Sequence, residues 1–356
     1  MVSNNGSRDD RPAGRGVDRA TVAAARVGDA AAFTALVERY RRELQVHCYR
    51  MVGSIEDSED LVQETFLRAW RKRESFRLEG RWSFRRWLYR IATNACLDLL
   101  AQRPRRVLPH DVAPPADPTA QPPPPADLAW LEPYPDVLLD TIPSDDPDPQ
   151  AVAVARETIE LAFVAAIHHL PARQRAVLLL RDVLGWSAKD TASLLQTTVP
   201  AANSALQRAR ATLRKRLPAR RAEWSRPADV SREERELLQR YMDAQERGDA
   251  DAVLELLHED ARVSFPPLPL WYDGRDAFGT ASERFAAPGD YRFVATSANT
   301  QPATAIYLRR PDDTEYRPLV IEVLRIEDGL VAEIVDFGAL DLFAAFGLPP
   351  TLDVVD

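Results

Sequence analysis

The sequence predicts a multidomain protein in which two all-α modules precede a C-terminal α+β domain. The first observation is the charge, whose formal total of −8 is unevenly divided: residues 1–106 and 151–229 each carry +7, residues 107–150 carry −9, and residues 230–356 carry −13. The second is that residues 104–150 hold 14 of the 28 prolines. The third is a change from helical to alternating hydrophobic period late in the chain. A chain of 356 residues has room for two or three domains.

The first predicted module, residues 18–106, contains an acidic amphipathic helix. Its apolar positions at helical spacing, which should be buried, are Leu61, Phe66, Ala69 and Trp70. Asp60 and Glu64 are four residues apart, so their carboxylates share one exposed flank with Gln63.

A basic and aromatic segment follows that helix. Between Thr65 and Arg90, nine Arg or Lys side chains stand against two Glu. The interleaved aromatic residues are Trp70, Phe76, Trp82, Phe84, Trp87 and Tyr89. Cations track phosphates and flat rings stack on unpaired bases, so this mixture favours single-stranded nucleic acid. The alternative is a helical core with a solvated basic face. The residues at helix-core spacing are Phe84, Trp87, Leu88 and Ile91.

Two blocks of this module resemble region 2 of bacterial RNA polymerase sigma factors of the extracytoplasmic-function (ECF) group, in the sigma-70 family. The first block is DSEDLVQETFL, residues 57–67, and the second lies between residues 84 and 98 and begins FRRWL. The resemblance implies that the first block docks on core RNA polymerase, at its beta-prime clamp and beta subunits. The residues implied in docking are Asp57, Asp60, Gln63 and Glu64. The residues implied in capturing the unwound −10 strand of promoter DNA are Trp82, Arg85, Arg86 and Asn94.

Residues 107–150 are predicted to be a linker, with nine acidic side chains and no Lys or Arg. Proline fixes φ and removes a hydrogen-bond donor, so we expect this segment to be extended and mobile. A plain spacer is one interpretation. The resemblance implies instead that the linker threads the RNA-exit and active-site channels of the polymerase, where negative charge imitates RNA. Its contact points would then be Trp130, Leu131, Tyr134, Val137, Leu138 and Leu139.

The second module, residues 151–220, is predicted to be helical and to contain a helix-turn-helix. We expect Gly185 to end one helix, Ser187 to cap the next, and Thr198 to cap a third with Pro200 in its first turn. The outward positions of the third helix include Asn203, Ser204, Gln207, Arg208, Arg210 and Arg214. Amides and guanidinium groups pair with base edges and phosphates, so DNA binding is favoured over an ordinary basic hairpin.

This module resembles sigma region 4, which reads the promoter −35 element. The resemblance implies base contacts from Asn203, Ser204, Gln207 and Arg208, and phosphate contacts from Arg210, Arg214 and Arg216. One departure is Gln196, which stands where the family usually has glycine in the turn. Because glutamine adopts a positive φ poorly, we expect a turn of slightly different shape.

After a short linker at 221–230, residues 231–350 are predicted to form helices followed by an antiparallel sheet. The predicted strands, rich in β-branched and aromatic residues, are 262–265, 291–297, 303–308, 319–327 and 330–337. Glu327-Asp328-Gly329 is expected to be the hairpin turn between the last two. The pattern resembles SnoaL-like domains, in which a cone-shaped sheet surrounds a pocket. Several ECF groups carry such an extension, which is thought to tune sigma activity.

A pocket in that cone would be lined by His258, Trp271, Tyr272 and Asp336, with Asp260 beside His258. A carboxylate in an apolar cone can serve as a general base, so catalysis, ligand sensing and a purely protein-contact role stay open. Each residue also has a structural interpretation, as a helix-end cation, a turn residue or a core side chain. The negative charge of this domain predicts that it restrains or positions the basic modules electrostatically.

The sequence does not indicate a disulfide-rich, metal-binding, membrane-spanning or secreted protein. Cys48 and Cys96 lack CxxC spacing, which predicts buried thiols in a reducing cytoplasm, and no metal or other cofactor is expected. No apolar run has the length of a membrane span, the N-terminus is not a signal peptide, and residues 1–17 are expected to be disordered.

The expected protein is a cytoplasmic, nucleoid-associated sigma factor, not an enzyme, whose activity the C-terminal domain modulates. One alternative is a fusion in which that domain senses a small-molecule ligand or acts as an isomerase or cyclase. The other is a helix-turn-helix regulator that works without polymerase. Whether a separate anti-sigma factor exists stays open.

Overall fold

The structure is a computed structural model, and it describes residues 19–76, 83–139, 159–217 and 230–354. The predicted disorder of residues 1–17 and the predicted DNA contact of Trp82 lie outside the described residues. Within the described ranges, no helix has both the length and the apolar composition needed to cross a bilayer.

The first module is a bundle of helices. In chain order they are α1 (Arg19–Arg26), α2 (Ala30–Glu38), α3 (Arg41–Val52), α4 (Ile55–Arg71) and α5 (Ser83–Leu100). Helix α3 ends at Gly53, whose φ of 72° is the left-handed conformation that glycine adopts easily. Ser54 then caps α4 by accepting a hydrogen bond from the Asp57 amide at 3.2 Å. The tight corner between α3 and α4 therefore follows from two adjacent residues.

Residues 107–139 of the predicted linker pack against the rest of the chain, which corrects the expectation of a mobile segment. Its prolines exclude long helices, and two single 3₁₀ turns occur, at Pro109–Asp111 and Asp136–Leu138. The linker nevertheless buries Leu131, Tyr134 and Leu139 in a core shared with the helical modules. Three of the linker side chains that were expected to contact polymerase are therefore buried inside the protein itself. Residues 140–150 of the predicted linker lie outside the described residues.

The second module contains α6 (Leu161–His168), α7 (Ala172–Leu178, continued by a π-helical turn at Leu179–Val183), α8 (Ala188–Leu194) and α9 (Val199–Arg216). The capping predictions hold, since Ser187 and Thr198 each accept a backbone amide and Gly185 has a φ of 63°. Gln196 has a φ of 51°. The turn therefore holds glutamine in the left-handed conformation that glycine adopts more easily, and the expected difference in turn shape stays a prediction.

The C-terminal domain combines helices with one mixed sheet. Its elements are α10 (Arg232–Glu246), α11 (Ala250–Leu256), β1 (Leu257–Ser264), β2 (Trp271–Asp273), α12 (Arg275–Phe285), β3 (Asp290–Ala298), β4 (Gln301–Arg309), β5 (Arg317–Glu327), β6 (Leu330–Phe337) and α13 (Leu342–Ala345). In the described part of the domain the strand order is β2-β1-β6-β5-β4-β3. Strands β1 and β6 are parallel and the other neighbours are antiparallel.

Two hairpins of this sheet close through two-residue turns. Asp328 and Gly329, with φ of 52° and 78°, join β5 to β6 as predicted. Asn299 and Thr300, with φ of 56° and 57°, join β3 to β4. Strand β2 and helix α12 were not predicted.

The two faces of the sheet have different partners. Leu324 and Ile334 face α10 and α11 and form a core within the C-terminal domain. Val323 and Val335 lie on the opposite face, and they join the core that also contains the helical modules and the linker. The C-terminal domain is therefore packed on the rest of the chain through one whole face of its sheet.

Candidate nucleic-acid interface and interdomain junction

The acidic flank of α4 is only partly open. Asp60 and Gln63 are exposed, while Glu64 is half-buried and accepts a hydrogen bond from Arg68 Nε at 2.7 Å. Asp57 is different, because its side chain is only 12% exposed and is paired with Arg103 and, at 2.8 Å, with Arg106. Asp57 thus faces the segment that follows α5, away from the open flank of α4.

The predicted −10 residues on α5 contact other parts of the protein. Arg85 bonds Glu43 of α3, with Nε 2.8 Å from Oε2. Arg86 lies 3.1 Å from the Asp190 carboxylate in α8, and its guanidinium lies over the ring of Trp186 at 5.6 Å. Asn94 is half-buried. In this arrangement Arg86 is held by the second module.

The recognition face of α9 is open to solvent. All of its predicted contact residues are exposed: Asn203, Ser204, Gln207, Arg208, Arg210 and Arg214. Arg210 forms a two-pronged ion pair with Asp182, at 2.7 and 2.8 Å, which fixes its direction. The helical spacing predicts one inward face made of Val199, Ala202, Leu206, Ala209 and Leu213. The last four are buried, but Val199, in the first turn, is exposed.

Asn299, at the tip of the β3–β4 hairpin, joins three segments and is fully buried. Its Nδ2 donates to the Tyr49 hydroxyl of α3 at 3.0 Å and to the Ile159 carbonyl at 2.6 Å, just before α6. Its Oδ1 accepts from the Tyr134 amide of the linker at 2.8 Å. Its own amide donates to the Tyr134 carbonyl, also at 2.8 Å. We call these four residues the Asn299 junction.

Neighbouring residues reinforce the Asn299 junction. The Thr300 amide donates to Asp136 Oδ1 at 2.9 Å, and the Gln301 side chain accepts from the Leu161 amide at 3.0 Å. Thr300 is β-branched, and a positive φ is unusual for such a residue and costs on the order of 1–3 kcal/mol. Contacts with the linker and α6 therefore stabilise a turn that the hairpin alone would not favour.

A second contact between the helical modules is made by Arg175 of α7, which is 3% exposed. Its guanidinium donates to the Met51 carbonyl of α3 and to the carbonyls of Ile167 and His168, both at 3.1 Å. Burial lowers the pKa of Arg175 to about 9. Backbone carbonyls thus satisfy this buried cation where two modules meet.

The predicted pocket residues do not line one site. Trp271 pairs with Ser264 on the sheet face that the linker covers, and its indole Nε1 donates to the Ala113 carbonyl at 2.9 Å. Tyr272 lies on the opposite face because adjacent strand residues alternate. His258 is half-buried at the start of β1, where its Nδ1 accepts from the Asp260 amide at 3.2 Å.

Asp336 belongs to a buried carboxyl cluster. It faces Glu322 across the β5–β6 pair, and the Glu322 carboxylate accepts from the Tyr241 hydroxyl of α10 at 3.3 Å. Burial raises the pKa of Asp336 to about 7 and raises that of Glu322 well above its usual range, with the neighbouring carboxyl adding to the rise at Glu322. Both carboxyl groups therefore favour the protonated form more than a solvent-exposed carboxyl does. Sequence reasoning missed Glu322, although a lone Glu within the apolar run LVIEVL was a signal.

Comparison with protein families matches three parts of the chain. Residues 36–106 match sigma-70 region 2, residues 160–213 match sigma-70 region 4, and residues 238–334 match a SnoaL-like domain.

Among similar proteins is the ECF RNA polymerase sigma factor SigG of Mycobacterium tuberculosis. It is 45% identical over 325 residues, which cover 90% of this chain and 85% of SigG. The ECF RNA polymerase sigma factor SigW of Bacillus subtilis is 29% identical over 191 residues, or 53% of this chain and 91% of SigW. The crystal structure of the M. tuberculosis extracytoplasmic function sigma factor SigJ has the same fold, with a TM-score of 0.57 at 22% identity over 89% of this chain and 99% of SigJ.

Proposed function

Because this chain belongs to the ECF group of RNA polymerase sigma factors, we propose a specific division of labour among its surfaces. The exposed flank of α4, with Asp60, Gln63 and Glu64, binds core RNA polymerase. The open face of α9 reads the −35 element, and the basic surface of α5 engages the melted −10 strand. The C-terminal SnoaL-like domain holds the two helical modules together in an arrangement that must open before initiation. We call it the closed arrangement.

The spacing of the two promoter elements supports this restraint. The −35 and −10 elements are separated by about 25 base pairs, which at 3.4 Å each is about 85 Å of duplex. Arg86 of α5 and Asp190 of α8 are 3.1 Å apart. Modules in such contact cannot occupy both elements at once, so the contact has to break on the promoter.

The observation that carries the proposal is the Asn299 junction. One buried side chain of the C-terminal domain bonds at once to the first module, the linker and the start of the second module. Separating the modules leaves these polar groups without their partners and uncovers the apolar face of the sheet, which costs free energy. Polymerase and promoter DNA would supply that free energy through their preference for the open form.

Electrostatic restraint, which the charge blocks suggested, has less support. The bonds of the Asn299 junction join neutral groups, and Val323 and Val335 contribute apolar packing. Neutral hydrogen bonds and apolar burial depend little on ionic strength, whereas exposed ion pairs are screened. The restraint should therefore persist in high salt.

The alternative of a catalytic C-terminal domain would rest on Asp336. Its side chain is 9% exposed and faces Glu322, itself bonded to Tyr241. Asp336 is buried, whereas a general base must lie within hydrogen-bond reach of its substrate. The regulatory role is therefore favoured over catalysis.

Run-off transcription with core polymerase tests the restraint, comparing the full chain with the Asn299→Gly variant. Glycine tolerates the positive φ, so the variant removes the side-chain bonds without straining the turn. We expect initiation to rise several-fold. The control is Asp328→Gly, which changes the equivalent first position of the other two-residue turn and should leave initiation unchanged. Equal or lower initiation by a folded Asn299→Gly variant would overturn the proposal.

A further inference from the structure

A cleft of about 330 Å³ lies where three segments meet. The end of α5 contributes Leu100 and Arg103, the linker contributes residues 128–132, and the C-terminal domain contributes Phe337 and Leu342. Its size and its position between domains are those of small-molecule sites, which are mainly apolar with a few placed polar groups. We call it the interdomain cleft.

The charged side chains of the interdomain cleft differ in how many of their hydrogen-bonding groups already have partners within the protein. Glu132 accepts from the Ile55 amide at 2.8 Å and from Arg106 at 3.0 Å. Asp57 accepts from both Arg103 and Arg106. Arg106 is 17% exposed and also donates to the Trp130 carbonyl at 2.7 Å. These three groups are mostly buried and satisfied.

Arg103 is the exception. Its side chain is 55% exposed, and within the described part of the chain its hydrogen bond runs from Nη1 to Asp57. A guanidinium has five N–H donors in a fork that matches a carboxylate. Nearby, the apolar residue Leu128 is 43% exposed. The cleft therefore offers an apolar wall and an available cation to whatever enters it.

We propose that the interdomain cleft binds an amphipathic monocarboxylate, whose carboxylate pairs with Arg103 and whose apolar body lies against Leu100, Phe337 and Leu342. The walls come from three segments, so the site is complete only in the closed arrangement. This inference therefore rests on the proposed restraint. Such a ligand stabilises the closed form, and at 100 times its Kd it raises the closed-to-open ratio about 100-fold.

Isothermal titration calorimetry of the full chain with decanoate tests the assignment, with 1-decanol as the neutral probe of the same length. We expect one decanoate per chain, at least tenfold tighter than 1-decanol. Arg103→Gln should weaken decanoate binding at least tenfold. Ala339→Trp, which fills the cleft from the loop after β6, should abolish it. Arg232→Gln removes an exposed, ion-paired arginine outside the cleft and should bind normally.

Three results would overturn the assignment: no decanoate binding by the folded full chain, binding that survives Ala339→Trp, or equal affinities for decanoate and 1-decanol. Circular dichroism establishes that each variant is folded. Failure here is distinct from failure of the proposed restraint, which is judged from initiation by Asn299→Gly with no ligand present.

Discussion

Asn299 Nδ2 donates to the Tyr49 hydroxyl at 3.0 Å, across 250 positions of sequence. Tyr49 in turn donates to the Glu132 carbonyl of the linker at 2.7 Å. Both side chains are fully buried, and burial raises the pKa of Tyr49 further above its ordinary alkaline value, so its hydroxyl stays protonated. The pair connects the C-terminal domain to α3, the helix that precedes α4, whose exposed flank is the proposed polymerase-binding surface.

A double-mutant cycle should detect this bond directly. We expect Tyr49→Phe and Asn299→Gly to be coupled by about 0.5–1.5 kcal/mol in the free energy of unfolding, because each removes one partner of the same hydrogen bond. Urea denaturation measures it. The control pair is Tyr307→Phe with Asn299→Gly, since the Tyr307 hydroxyl bonds the Pro349 carbonyl instead. Additivity in the first pair would contradict the Asn299 junction.

Gly53→Ala should be much more destabilising than Gly185→Ala. Both glycines have positive φ, but a Cβ on Gly53 would lie 2.6 Å from atoms of His168 and Leu131, whereas the space around Gly185 is open. We expect Gly185→Ala to cost about 1 kcal/mol and Gly53→Ala about 2–4 kcal/mol, since overpacking adds to the conformational cost. Urea denaturation compares them, and equal losses would mean that the three segments do not meet at Gly53.

Asp190→Asn should change the level of transcription initiation in a salt-dependent way, whereas the effect of Asn299→Gly on initiation should not depend on salt. Arg86 and Asp190 are about half and a third exposed, so their pair contributes no more than about 1 kcal/mol and is screened by salt. We expect a modest rise in initiation at low salt that fades at high salt. Glu236→Gln, which removes a similar exposed pair with Arg232, is the control. If the Asn299→Gly effect faded in the same way, electrostatic restraint would be correct after all.

The stability of the C-terminal domain should fall as pH rises through neutrality. Asp336 and Glu322 have raised pKa values in the folded state, so their protonated forms are the stable ones there. The stabilisation is complete below the unfolded pKa of about 4 and is lost as pH approaches and passes about 7 at Asp336. We expect Tm to drop between pH 5.5 and pH 8 and Glu322→Gln to reduce the drop. An unchanged pH profile in Glu322→Gln would show that the pair does not titrate.

Local features of the fold were predictable from the sequence. The caps at Ser187 and Thr198 and the turn at Asp328-Gly329 depend on neighbouring residues, so their chemistry is visible in a short window. The exposed face of α9 followed from its helical period for the same reason. The roles of its residues in DNA binding stay predictions.

The arrangement of the modules was not predictable. In the sequence, Asn299 is an ordinary turn residue. Its neighbouring residues give no indication that its side chain bonds to Tyr49 and Tyr134. The linker was expected to be mobile because proline excludes regular structure. Burial of the Leu131 and Tyr134 side chains, however, supplies more free energy than the segment loses in conformational entropy when it becomes fixed. Trp271 was assigned to a pocket, but it lies on the face of β2 that the linker covers. The sequence does not indicate which face that is.

The distance between α5 and α8 is the most direct test of the closed arrangement. Cys48 and Cys96 are buried, so spin labels can be directed to cysteines introduced at the exposed positions Arg90 of α5, one turn from Arg86, and Ser193 of α8. Double electron–electron resonance should give one short, narrow distance in the free chain and a much longer one in the complex with core polymerase and promoter DNA. The same short distance in a transcription-competent promoter complex, or a long one in the free chain, would contradict the account.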